Sequence, residues 1–133
     1  MTERDQEALQ LCDLGLQQMW RGEIEPAIEQ YDRALALCES EETHELITIR
    51  KAEALIACER DGSEVSALPM IVMRRRTPRH VYLAANTLLR RYCETSDRKK
   101  AIFYGEIARQ AAVALDDPFA RASVLNNLGI TLV

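Results

Sequence analysis

A chain of 133 residues with 47% hydrophobic and 29% charged residues has the composition of a single folded domain or a short repeat array, and this excludes a disordered chain. Five glycines and four prolines are too few for a protein built on tight β-turns, and 5% aromatics with abundant Leu and Ala favour closely packed helices. The net charge of −4 conceals an asymmetry: residues 1–66 hold 16 acidic and 6 basic side chains (−10), residues 67–133 hold 5 and 11 (+6).

In chain order, the first expected helix runs from about Arg4 to Trp20, with Ala8, Leu11, Leu14, Leu16 and Met19 recurring at three- and four-residue steps. Gly22 turns the chain, and a second helix follows with Pro26 in its first turn and an apolar stripe of Ala27, Ile28, Tyr31, Ala34, Leu35 and Leu37. Glu41 to Arg60 forms a third, with Leu46, Ile49, Ala52, Leu55 and Ile56 inside. Asp61-Gly62-Ser63 opens a shorter fourth helix that runs to about Arg75, with Pro69 expected in its first turn. Thr77-Pro78 breaks the chain before a fifth helix, Val81 to Cys93. Thr95-Ser96-Asp97 caps a sixth, which continues to Leu115, and Asp116-Asp117-Pro118 ends it and opens a seventh from Phe119 to Val133. The expectation is an all-α chain of about seven helices in antiparallel hairpins.

The residues from Ala8 to Leu37 carry a resemblance. Leu14-Gly15 in the first helix, Gly22 in the turn, and Ala27, Tyr31, Ala34 and Leu35 in the second are similar to a tetratricopeptide repeat, a helical hairpin with a period near 34. With Gly15 as the mark, equivalent sites fall at Leu55, Leu89 and Gly129, and Ala27 corresponds to Ala67 and Ala101. The second repeat has Leu55 in place of glycine and Arg74 where a small residue belongs, and the third has Gly105 where the aromatic stands. Leu125-Asn126-Asn127-Leu128-Gly129 looks like the start of a fourth repeat and is similar to the longer repeats of bacterial regulators and kinesin light chains. The resemblance implies a right-handed solenoid of repeats at about 4–40, 41–76 and 78–116, with a fourth begun at 118–133. Because that repeat lacks a second helix and ends on Ile130-Thr131-Leu132-Val133, the reading is of a fragment of a longer protein, or of an apolar C-terminal helix that supports a homodimer.

Catalytic chemistry finds little footing. His44 and His80 lie at different helix starts without a nucleophile motif, the glycines are isolated, and no Cys-x-x-Cys or His-x-x-x-His occurs, so neither enzyme activity, a metal nor a cofactor is expected. The polar, acidic start lacks a signal sequence, no stretch approaches the roughly 18 apolar residues of a membrane span, and the scattered Cys12, Cys38, Cys58 and Cys93 read as reduced thiols, which together suggest a cytoplasmic protein.

Binding is the stronger expectation. In the family resembled, the first helices of successive hairpins line a concave groove that takes a peptide or partner helix. By position this implicates Leu9, Cys12, Leu16 and Met19 in the first repeat, Ile49, Ala52, Ile56 and Glu59 in the second, Leu83, Asn86, Arg90 and Cys93 in the third, and Ser123, Asn126 and Ile130 in the fourth. Asn86 and Asn126 suit hydrogen bonding to a peptide backbone, and Arg90 a carboxylate. The basic run Arg74, Arg75, Arg76 and Arg79 reads by default as a solvated turn, or as a patch that answers the acidic half of another copy. A nucleic-acid-associated surface extending to residue 100 is the alternative, disfavoured by the negative total charge and by interleaved aromatics limited to Tyr82 and Tyr92; a pure dimerisation element is a third.

Overall fold

In the computed structural model the chain forms α1 (Glu3–Trp20), α2 (Ile24–Leu37), α3 (Glu41–Ala57), α4 (Ser63–Arg74), α5 (Pro78–Glu94), α6 (Arg98–Leu115) and α7 (Pro118–Leu132). The structure describes residues 1–132, with side chains through Gly129. No strand occurs among them, and none of the helices is long and apolar enough to cross a membrane. The expected C-terminal apolar surface, including the groove position Ile130, lies outside the described side chains. The chain divides within α4 into two compact units, Met1–Ala67 and Leu68–Val133.

Local chemistry sets the helix ends. Thr2, Ser40, Thr77 and Asp97 each accept a hydrogen bond from the backbone N–H three residues on, the N-cap arrangement. Asp117 accepts from Phe119 N (3.0 Å) and Ala120 N (3.3 Å) ahead of Pro118. Pro78 therefore sits at the first position of α5, and the helix begins three residues earlier than its apolar pattern indicates. Pro69 differs from expectation in the other direction. Because α4 starts at Ser63, the proline lies in the second turn, where it removes the N–H that would meet the Val65 carbonyl.

The hairpin turns repeat. Gly22, Glu59 and Ser96, 37 residues apart each time, all take left-handed backbone, with φ of 78°, 57° and 61°. Each donates its N–H to the carbonyl three residues back, and the next residue donates to the carbonyl five back: Glu23 to Gln18, Arg60 to Leu55 and Asp97 to Tyr92. This is one helix-ending motif used three times. It shifts the internal register: the position equivalent to Gly15 in the second hairpin is Ala52 instead of Leu55, while Leu89 remains its equivalent in the third.

In unit 1, α1 and α2 pack through Gly15, Ala27 and Ala34 around Tyr31, which is fully buried. A Cβ built on Gly15 would sit 2.6 Å from Tyr31 Cε1, so the ring occupies the space a side chain would need. Unit 2 reverses the sizes. Leu89 stands on α5 where Gly15 stands on α1, and Gly105 stands on α6 where Tyr31 stands on α2, each 74 residues on. A Cβ on Gly105 would overlap the Leu128 side chain and press on Leu89 Cδ1 at 3.3 Å. Gly129, expected at a close helix approach, is exposed with nothing within 4 Å of an added Cβ.

Two polar devices fix unit 1. Lys51 on α3 binds Asp32 of α2 at 2.6 Å and Glu64 of α4 at 2.7 Å. Burial opposes the Lys51 charge, but the hydrogen bonds to both carboxylates outweigh it and hold its pKa above the ordinary lysine value. Asp5 on α1 accepts hydrogen bonds from Glu39 N (2.7 Å) and Ser40 N (3.2 Å), pinning the α2–α3 connection. The Glu39 N–H above all holds the Asp5 carboxyl below its usual range, against the opposing effect of its burial. A folded-state pKa below the unfolded one contributes stability above the unfolded value near 3.9 and loses it as pH falls through the folded value. Denaturant titrations across that acid range should therefore show a steeper loss for the wild type than for Asp5→Asn, which is weaker at neutral pH. Parallel curves would remove Asp5 from the acid response.

Candidate functional site

The caps Thr77-Pro78 and Asp117-Pro118 fix where α5 and α7 begin, and hence which of their residues face one another. Along that edge of unit 2 runs a polar seam. Asn86 Nδ2 donates to Tyr82 Oη (3.4 Å) on its own helix and to Ser123 Oγ (3.4 Å) on α7. Asn127 Nδ2 donates to Asn86 Oδ1 at 3.2 Å, and the Cys93 thiol donates to the Asn127 carbonyl at 3.6 Å. Tyr82, Asn86, Cys93, Ser123 and Asn127 are all half-buried, so the seam is open to solvent on one side.

The bonds are long. At 3.2–3.4 Å they lie at or beyond the far end of the range for N–H···O contacts, and each is weak. Such contacts orient the two amides while leaving them half-open to solvent. An asparagine amide offers an acceptor beside a donor, the pattern that a peptide unit requires.

Of the residues singled out in the sequence, Asn86 lies in this seam, and Arg90 is exposed one turn further along α5. Asn126 is exposed, and the neighbouring Asn127 meets α5. The signal for this was the apolar pair Val124 and Leu128, both buried, which sets the inward side of α7 and turns the adjacent Asn127 towards α5. The first-repeat set behaves differently. Leu9, Leu16 and Met19 are half-buried on α1, whereas Cys12 is 4% exposed, inside the fold. With the 74-residue correspondence, Cys12 and Ile49 of unit 1 occupy the places of Asn86 and Ser123, and Glu53, ion-paired with Arg50 at 3.1 Å, that of Asn127, so unit 1 has no amide pair there.

The basic run is divided. Arg74 and Arg76 have interaction partners, while Arg75 and Arg79 are exposed and make no hydrogen bond or ion pair among the described residues. An aromatic cluster that crosses the α5–α6 hairpin was not legible in the sequence. Tyr92 and Tyr104 stack at 5.8 Å between centroids with planes 14° apart, Phe103 meets Tyr104 edge-on, and Lys100 Nζ lies 5.3 Å from the centre of the Tyr92 ring. Burial, and secondarily Tyr92, raises the Tyr104 hydroxyl pKa. Among the described residues no group of three or more His, Cys, Asp or Glu is arranged to hold a metal ion. The chain matches no family model, curated protein or solved structure.

Proposed function

We propose that the chain is a helical-hairpin repeat module of the tetratricopeptide type its sequence resembles, stacked as a right-handed solenoid, and that it binds a protein or peptide segment rather than catalysing a reaction. The recurrence of one hydrogen-bonded turn at positions 22, 59 and 96 supports the repeat reading. The observation that carries the binding proposal is the Asn86–Asn127 amide pair, half-open to solvent and joined by a long hydrogen bond of 3.2 Å. In this reading Asn86 and Asn127 hydrogen-bond the backbone of an extended peptide, and Arg90 attracts an acidic group beside it. The proposed setting is a larger cytoplasmic regulatory protein in which ligand binding adjusts the spacing of the hairpins.

The test is a peptide selected on the wild-type chain from a random library and titrated by calorimetry. Asn127→Ala should weaken it about tenfold, which corresponds to one lost charge-neutral pair of hydrogen bonds at about 1.4 kcal/mol. The same substitution should change stability by less than about 1 kcal/mol, because the contact to Asn86 is long and open to water. Asn126→Ala serves as the control on the neighbouring exposed position and should leave affinity unchanged. Equal affinity for Asn127→Ala and wild type would refute the role of the seam.

A further inference from the structure

A cleft lies on unit 2, formed by the α5–α6 hairpin and the residues just ahead of α5. Between the start of α5 and the end of α6 a cleft of about 200 Å³ opens, with Val81 and Ile107 among the residues that line it. It exists because Ala111 and Ala114 on α6 face Pro78 and Val81 with methyl groups only. Leucine at either position would fill it. An apolar cavity of about 150 Å³ is large enough for a benzene ring, so this cleft has room for an apolar body of ring size.

The rim is positive. Arg75 borders the cleft, is exposed, and makes no hydrogen bond or ion pair among the described residues. No carboxylate lines the cleft to neutralise it. The Thr77 hydroxyl accepts from His80 N at 3.1 Å and keeps its own O–H to donate, so Arg75, the Gln110 amide and that O–H are the polar donors among the lining side chains. An apolar floor beside an unpaired guanidinium recognises a molecule with one greasy end and one carboxylate.

We propose that this cleft binds a small amphipathic carboxylate, its apolar body over Val81, Ile107 and Ala111 and its carboxylate on Arg75. The site is separate from the α5–α7 seam and does not depend on the peptide-binding reading. With about eleven non-hydrogen atoms, a probe such as 3-phenylpropanoate should bind in the millimolar range.

The experiment is an NMR titration of the whole chain with 3-phenylpropanoate and, separately, with its uncharged amide. Saturable shifts at the Val81, Ile107 and Ala111 amides are expected, about fivefold tighter for the carboxylate. Arg75→Gln should bring the carboxylate down to the affinity of the amide. Ala114→Leu should abolish binding of both; position 114 is exposed on a helix, and leucine is a good helix former there. Thermal unfolding of each variant checks that it folds. No saturable shift, equal affinity for acid and amide, or unchanged binding by Ala114→Leu overturns the proposal. Binding of N-acetylphenylalanine tenfold more tightly than the free acid overturns it in favour of a peptide C-terminus.

Discussion

Replacing Gly105 by alanine should destabilise the fold by about 1–3 kcal/mol, whereas Gly129→Ala should stabilise it by about 0.5–1 kcal/mol. Both glycines lie within helices, so on propensity alone both substitutions are favourable. Space decides otherwise at Gly105. The added methyl would overlap the Leu128 side chain and crowd Leu89, and both neighbours are buried, with Leu89 fully enclosed. Leu128 could yield only by leaving its rotamer or by moving α7 away from α6. At Gly129 nothing lies within 4 Å, and the alanine simply restricts the unfolded chain. Urea denaturation of the two variants reads the signs directly. A stabilising Gly105→Ala would mean that the α6–α7 contact is not as close as described, and a destabilising Gly129→Ala that position 129 is not open.

The contrast bears on what the sequence could reveal. Helix count and most boundaries were legible, because apolar spacing, the Thr77-Pro78 and Asp117-Pro118 pairs and the small residues at 27, 34, 101 and 108 act locally. The internal register was not. Glycine was the natural marker, yet two of the three turns spaced 37 residues apart use Glu59 and Ser96, and Gly129 has no packing role. That Asn127 meets α5 while Asn126 is exposed was not legible either, for a related reason. A helix turns about 100° per residue, so the step from Asn126 to Asn127 is the step from solvent to α5. Whether a pair of asparagines meets another helix depends on the phase of the buried stripe, and Ala120, Val124 and Leu128, with the exposed Leu125 and Phe119 beside them, specify that phase weakly. The Tyr92–Tyr104 stack was invisible because its members lie on different helices.

The exchange of sizes between the two hairpins leads to the largest expected effects. Gly15→Leu puts a branched side chain where the Tyr31 ring already lies, and should cost about 3 kcal/mol or more, the upper end for overpacking. Tyr31→Gly removes a fully buried aromatic side chain, for which about 3–5 kcal/mol is expected, with about 1 kcal/mol added for glycine in a helix. The double substitution recreates in unit 1 the leucine-opposite-glycine arrangement that unit 2 uses at Leu89 and Gly105, where Leu89 Cδ1 would be 3.3 Å from a Cβ on the glycine. The leucine introduced on α1 would then enter the space vacated by the ring. The double variant should be more stable than Tyr31→Gly alone, with a favourable coupling of about 2–3 kcal/mol between the two positions. Recovery remains incomplete, since unit 2 also draws on Leu128 from α7 to close the gap above its glycine, and the position 74 residues before Leu128 is Ala54, too short to do the same. A double-mutant cycle in guanidinium measures the coupling. Additive losses would show that the two hairpins do not solve the same packing problem with sizes reversed.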